Sequence, residues 1–340
     1  MILITGDIHL NDLSRDVYRH DWIANILPSL LRKHKAELLL ILGDYTDSKD
    51  CHSSWLVNQL VDHLTALTEI CPVICLKGNH DYVDPTIPFF EFLGKIPRLT
   101  WVNSPTHAEN VAGAGVLGDA LFLPHTNNYQ RDWPEICIAD LYLAHQTFQG
   151  AQVGPRKLDG IPTKIFPDDA LVISGDIHVP QEFDQIVYCG SPYTCTFGDD
   201  FEPRVLLLDP VTLKLKSIPS PGPQKRLLEV AYPNRRIERP WTDYIRCKAN
   251  PGDIIKVRVA IEAAQAPQWS TIKDEVKRWG EERGFIIHLV QPVIDSKGGG
   301  TTAKRKTVNR TDTELLELYG KSRAISETTL STGKRLMEKT

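Results

Sequence analysis

An α/β fold of the α+β kind, parallel through its first half, is what the sequence predicts, on three observations. Short apolar β-rich runs alternate with helix-like segments, the runs are continuously apolar rather than alternating, and each leads into a cluster of polar, metal-capable side chains, usually through a glycine. Strand, helix, strand in succession requires crossover connections. Continuous apolar runs suit strands buried on both faces, and in such sheets the ligand site lies beyond the carboxyl ends of the strands.

The strands are expected at ILIT before GDIH (2–9), ELLLIL before GDYTD (37–47), VICLK before GNHD (73–81), LYLA before HQTF (141–148) and LVIS before GDIH (171–178). Val17 to His34 places Trp22, Ile23, Ile26, Leu27, Leu30 and Leu31 at helical spacing, and Ser54 to Glu69 does the same with Trp55, Leu56, Leu60, Leu64 and Leu67. After GSP (190–192) and the loop TCTFGDDFEPR (194–204), the runs RVLLLD (204–209) and TLKLKSI (212–218) read as closing antiparallel strands of a sandwich. PSPGPQ (219–224) denies both helix and ladder and marks a domain boundary. Beyond it, DIIKVRVAIE (253–262), a helix from Trp269 to Arg283 and FIIHLVQPVI (285–294) predict a small βαβ-like domain.

SKGGGTTAKRKTVNR (296–310), with its basic run Lys304-Arg305-Lys306, reads as a flexible tether. Thr311-x-x-Glu314 is a capping box opening TELLELYGK, and Ser326 to Lys339 is a second helical stretch. Short apolar-faced helices beyond a tether seldom stand alone in water, so Leu315, Leu316, Leu318 and Tyr319 are expected to dock on a partner. The expected divisions are 1–222, 223–295, a linker 296–311 and a helical tail 312–340.

Composition narrows the classes. With 41% hydrophobic and 24% charged residues the chain is globular. No apolar run approaches the roughly 20 residues that span a bilayer, and MILITGD opens without a basic stretch and cleavage site, so a soluble, unsecreted, cytoplasmic protein is expected. Seven scattered cysteines without a C-x-x-C pair indicate neither a disulfide framework nor a zinc ribbon. Residues 296–340 carry ten Lys/Arg against five Asp/Glu, a surplus of five that leaves residues 1–295 at −9 against −4 for the chain. An acidic body argues against charge-driven DNA coating, but holds DNA if metal ions supply the positive charge.

The chemistry concentrates in Asp7-x-His9, Asp44, Asn79-His80-Asp81, His145 and Asp176-x-His178, all at expected strand ends. Residues i and i+2 of a strand point to one side, so Asp7 with His9, and Asp176 with His178, can present two ligands to one place. Carboxylates with imidazoles and no thiolate suit manganese, iron or zinc in a catalytic rather than structural site. Two ions bridged by one carboxylate would activate a water and stabilise charge on a phosphoryl centre. The remaining histidines, His20, His34, His52, His63, His107, His125 and His288, lack such company and read as structural or surface.

G-D-I-H, G-D-x-x-D, G-N-H-D, a lone His and a terminal G-x-x-H, in this order, resemble the calcineurin-like metallophosphoesterases. Within them the chain looks like the nuclease subunit of double-strand-break processing complexes, the SbcD type of bacteria and phages. The features that point there are AHQTF (144–148), GSPYTCTFGDD (190–200), the domain after residue 225 and the tethered tail. The resemblance implies a four-layer β-sandwich flanked by helices, a small α/β capping domain and a helical tail. It implies one metal on Asp7, His9, Asp44 and His178, and a second on Asp44, Asn79, His145 and Asp176, with Asp44 bridging. His80 would serve the leaving oxygen and Asp81 would orient His80 or its loop. It implies two divalent ions, manganese first and magnesium second, DNA as substrate, an SbcC-like coiled-coil ATPase gripped by the C-terminal helices, and pairing of two copies through the nuclease domain. No Walker A pattern occurs, so the ATPase is another chain.

The family's last motif is commonly G-H-x-H, where this chain has Gly175-Asp176-Ile177-His178; the carboxylate adds charge and hardness and favours manganese or magnesium. Asp47 stands where nuclease relatives can carry a substrate-side His, and Arg15 and Arg19 follow the first motif where phosphates could meet them. Two other readings share these residues: a stand-alone phosphodiesterase or phosphatase for nucleotides or phosphoproteins, and a non-catalytic scaffold with a degenerate metal site.

Overall fold

The computed structural model describes residues 1–133, 139–232 and 249–294. The tether, the tail helices and Leu315, Leu316, Leu318 and Tyr319 lie outside the described residues.

The chain opens β1 (Ile2–Thr5), α1 (Val17–Asp21), a π-turn Trp22–Ile26, α2 (Leu27–His34), β2 (Leu38–Ile41), α3 (Ser54–Ile70), β3 (Val73–Leu76) and β4 (Leu99–Val102). It continues β5 (Thr106–His107), β6 (Ala120–Leu123), α4 (Tyr129–Asp132), β7 (Leu141–His145), the hairpin β8 (Gln152–Val153) and β9 (Arg156–Lys157), β10 (Leu171–Gly175), β11 (Gln181–Phe183) and β12 (Ile186–Tyr188). Then come β13 (Arg204–Leu208), β14 (Leu215–Pro219), β15 (Lys225–Ala231), β16 (Ile254–Ile261), α5 (Trp269–Glu282) and β17 (Ile286–Ile294).

Two six-stranded sheets result, ordered β14-β13-β1-β2-β3-β4 and β11-β12-β10-β7-β6-β5. The central strands β1 to β4 are parallel, as are β6, β7, β10 and β12, while β13 and β14 close the first sheet antiparallel, as expected. Alternation along each strand assigns the layers. Ile2, Ile4, Leu38, Leu40, Ile74 and Leu76 meet Phe122, Leu141, Leu143 and Ile173 between the sheets. Leu3, Leu39, Ile41, Val73 and Cys75 face Trp22, Ile23, Leu60 and Leu64 of the helical segments. Each fully buried aliphatic here contributes about 1.5–3 kcal/mol relative to exposure, so strand order and register are held by apolar burial on both faces.

The outer face of the second sheet is covered differently. Tyr142, Val172, Ile186 and Tyr188 pack under Trp133, Phe148 and Phe166, which belong to loops and short turns rather than long helices. No expected strand falls on β4 to β6, because four-residue runs such as LTWV and ALFL are too short for periodicity to single out. Residues 225–294 add a parallel three-stranded sheet, β15-β16-β17, whose β16–α5–β17 crossover buries Val257, Val259, Ile272, Val276 and Trp279 in its own core. Lys225, at the start of β15, bonds Asp16 through its ammonium at 2.5 Å and so ties this sheet to the first segment. Among the described residues no helix is long and apolar enough to cross a membrane.

Candidate metal centre

The parallel strands of both sheets end at one place. β1 delivers Asp7 and His9, β2 delivers Asp44, β3 delivers Asn79, His80 and Asp81, β7 ends on His145 and β10 leads to Asp176 and His178. Ligand atoms of Asp7, His9 and His178, of His9, Asp44 and His80, and of Asp7, Asp44 and His145 form three groups, each within 4.8 Å. Asp176 approaches through Oδ1, 3.9 Å from His145 Nε2.

Strand alternation does not bring Asp7 and His9 together, because both lie past the end of β1. Asp7 (φ 52°), His9 (φ 46°), Asp44 (φ 58°) and Asp176 (φ 82°) are all left-handed. Such a backbone costs a non-glycine residue roughly 1–2 kcal/mol, and the cost falls on four ligand candidates, where loops must turn side chains back over the strand ends. Two glycines permit the crowding. A Cβ on Gly43 (φ 86°) would run into His145 and Gly78, and one on Gly78 into Asp44 and His145.

The polar atoms converge without enough protons between them. Asn79 Oδ1 lies 2.8 and 2.9 Å from the Asp44 oxygens and 3.1 Å from His145 Nε2. The Leu42 carbonyl accepts from His145 Nδ1, so in the neutral ring Nε2 keeps its lone pair. The amide satisfies these acceptors if it turns its nitrogen inward, or a cation does so with the oxygen inward. Asp7 fits the cation: Oδ1 accepts from the Asp176 amide at 3.0 Å, and the buried Oδ2 has no donor. Similarly, His9 Nε2 and His178 Nε2 face each other at 3.0 Å, with Asp44 Oδ2 3.4 Å from His9 Nε2. The donor set, hard oxygens with imidazoles, fits a divalent ion.

Protons stand in for that charge. Burial raises the Asp7 carboxyl, whereas Asp44, despite burial, is held below the usual carboxylate range by His145. Burial would lower His145, but the Asp44 carboxylate raises it well above the ordinary value. Burial likewise opposes a proton on His178, yet the Cys195 thiol and then Asp7 bring it to about 9.

Surrounding groups set the ligands' poses. Thr147 donates to Asp176 Oδ2, which aims Oδ1 at His145. Ser191 donates to the Asp7 carbonyl at 3.0 Å and Tyr193 to the Ile8 carbonyl. Asp81 is fully buried and accepts from the amides of Asp44, Tyr45 and Gly78 at 2.9, 3.0 and 2.6 Å, so it joins two loops and does not bond the His80 ring. Burial and then Asp44 push Asp81 up to about 7. His80 is half-buried; its amide donates to Asp44 Oδ1 at 2.8 Å, and its Nδ1 donates to the Asp47 carbonyl at 2.7 Å, which frees Nε2.

Asp47 and Arg19 have duties that sequence reasoning missed. Asp47 Oδ1 faces His9 Nδ1 at 3.3 Å, and its carboxylate takes Arg19 Nη1 at 3.1–3.2 Å and Asn11 Nδ2 at 2.5 Å. Arg19, expected near phosphates, is only 3% exposed and spends its guanidinium on Asp47 and the carbonyls of His9 and Cys195. It supports His9 from beneath and offers no face to a substrate. Its place on the buried side of α1 was the available signal. Arg15 is the exposed one, its Nε 4.0 Å from Asp16.

Residues 1–180, more than half of the chain, match the model of the calcineurin-like phosphoesterase family. One solved structure, described as Pseudomonas putida nuclease MPE, is similar over 62% of this chain and 70% of that one, at 16% identity and a TM-score of 0.29, a likeness too slight to carry any inference. Family match and ligand convergence coincide on the same residues, and the chain belongs to the calcineurin-like phosphoesterases, as a metal-dependent phosphodiesterase hydrolase.

Proposed function

We propose that the chain is a manganese-dependent DNA nuclease subunit with exo- and endonuclease action, working in DNA end processing, recombination and repair with an SbcC-like ATPase in the cytoplasm. The observation that carries it is the convergence of carboxylate, amide and imidazole acceptors at the strand ends, with His80 half-exposed at their rim. One ion is assigned to Asp7, His9, Asp44 and His178, the other to Asp44, Asn79, His145 and Asp176. Divalent ions bound there supply positive charge against the phosphoryl oxygens and acidify water. In its imidazolium form His80, anchored through Nδ1–H on the Asp47 carbonyl, would present Nε2–H to the leaving sugar oxygen and transfer that proton to it, returning to the neutral ring. Asp81 keeps the loops of Asp44 and His80 in register.

The hard oxygens of four of the seven ligand candidates support manganese, with magnesium second. The segment 190–200, part of the SbcD resemblance, supports the subfamily reading because Ser191, Tyr193 and Cys195 hold the backbone of the Asp7 and His9 loop or Arg19 beneath it. The partner is assigned to the segment 312–340, and pairing of two copies to the nuclease domain. The test is degradation of end-labelled duplex and single-stranded DNA in manganese, in magnesium and with chelator. Manganese-dependent cleavage abolished by chelation is expected. Hydrolysis of small phosphodiesters with no cleavage of either DNA, with and without the ATPase, would favour the small-molecule reading.

A further inference from the structure

A cavity of about 450 Å³ opens beside the metal centre between the loop after β3, the β4–β5 turn and the segment from Pro124 to Trp133. Lys77, Tyr82, Asn103, His125, Asn127 and Arg131 line it. It adjoins the ligands directly: Lys77 precedes Gly78-Asn79, and the His125 ring centroid is 6.1 Å from that of His145.

Its charges do not cancel. Arg131 and Asp132 pair through Nε at 2.5 Å and Nη2 at 2.9 Å, and Thr126 also donates to Asp132. Lys77 remains. It is 5% exposed, its ammonium lies 4.8 Å from the Tyr82 ring centre, and no acceptor among the described residues is within hydrogen-bond reach of it. A cation–π contact offsets only part of the hydration an ammonium gives up on burial. An ammonium so placed, with neighbouring asparagine amides able to donate, asks for an anion. A nucleic acid strand brings one automatically, because the phosphate next to the scissile one follows within a nucleotide's length.

We propose that this cavity is the subsite for a second phosphate of the substrate strand, adjacent to the phosphate being hydrolysed, with Lys77 as its principal cation. The inference rests on the nuclease reading and makes it specific: the enzyme prefers chains of phosphodiesters to isolated ones. Lys77 here binds and positions; it takes no part in bond breaking.

The test uses the full chain in manganese and compares kcat/KM for thymidylyl-thymidine with and without a terminal 5′- or 3′-phosphate, beside bis(4-nitrophenyl) phosphate. One terminal phosphate is expected to raise kcat/KM about 10- to 100-fold, chiefly through KM, the span of a charge-assisted hydrogen bond. That ratio should fall toward one in Lys77→Met and be largely kept in Lys77→Arg. A wild-type ratio near one, which needs no variant to fold, overturns the proposal. So does an undiminished ratio in folded Lys77→Met, or in Lys77→Gln if the methionine variant does not fold. Hydrolysis of bis(4-nitrophenyl) phosphate without cleavage of any dinucleotide takes the nuclease reading down as well, whereas cleavage of all dinucleotides at equal rates overturns the subsite alone.

Discussion

Asp47→Asn isolates what a residue that binds no metal does for the metal. Burial alone would raise the Asp47 carboxyl, but the hydrogen bond from His9 and the Arg19 charge hold it at about 2, so it is ionised throughout the working range. An ionised acceptor 3.3 Å from His9 Nδ1 keeps the proton on that nitrogen and directs Nε2 toward Asp44 and His178. Amide in place of carboxylate keeps the shape but removes the charge and lets the ring turn. Losing such an outer partner typically lowers metal affinity about 10- to 100-fold, or about 1.4–2.7 kcal/mol. The stability cost is smaller, about 0.5–1 kcal/mol, because the Asp47 side chain is 43% exposed and its ion pair is screened. Manganese titration by calorimetry, alongside urea unfolding, separates the two effects. Unchanged affinity in a variant that unfolds like the wild type would refute the orienting role, and so would a loss of stability large enough to account for any loss of metal.

His80→Ser should lower kcat by about 100- to 10,000-fold with metal content and melting temperature nearly unchanged, since His80 works at the rim; full activity would sink its role. Gly78→Ala should destabilise by about 1–3 kcal/mol and reduce bound metal below wild type, because the new methyl meets Asp44 and His145. Gly115→Ala, with open space around it, is the neutral control, and equal behaviour of the two would refute the packing argument. In the metal-free protein His145 and His178 have raised pKa values, His178 about 9, so below that pH a proton must leave before a metal enters. Apparent metal affinity should therefore rise with pH up to about 9, with proton release measurable at pH 7.5 by calorimetry in buffers of different ionisation enthalpy; binding without release would contradict it.

What was legible in the sequence was whatever repeats locally. Apolar runs with both faces hydrophobic announced buried parallel strands, because burial on each side leaves no polar alternation to record. The helices of 17–34 and 54–69 showed through their spacing, and the motif order marked the strand ends at which Asp7, Asp44, Asn79 and Asp176 stand. β4 to β6 did not show, being runs of two to four residues, too short for a period to register.

Only the tertiary structure decided how those strand ends meet. Left-handed turns at Asp7, His9, Asp44 and Asp176 place the ligands, and a positive φ leaves no periodic trace in residue order. Only the folded chain shows that Asp81 binds loop amides instead of His80, that Arg19 lies under His9, and that Lys77 faces a cavity rather than solvent. Residue type alone determined which groups could ligate, accept or carry charge, since that chemistry belongs to the side chain. Which of them find partners depends on distances of a few ångströms between segments far apart in sequence, such as the 169 positions from His9 to His178, and those distances exist only once the two sheets have packed.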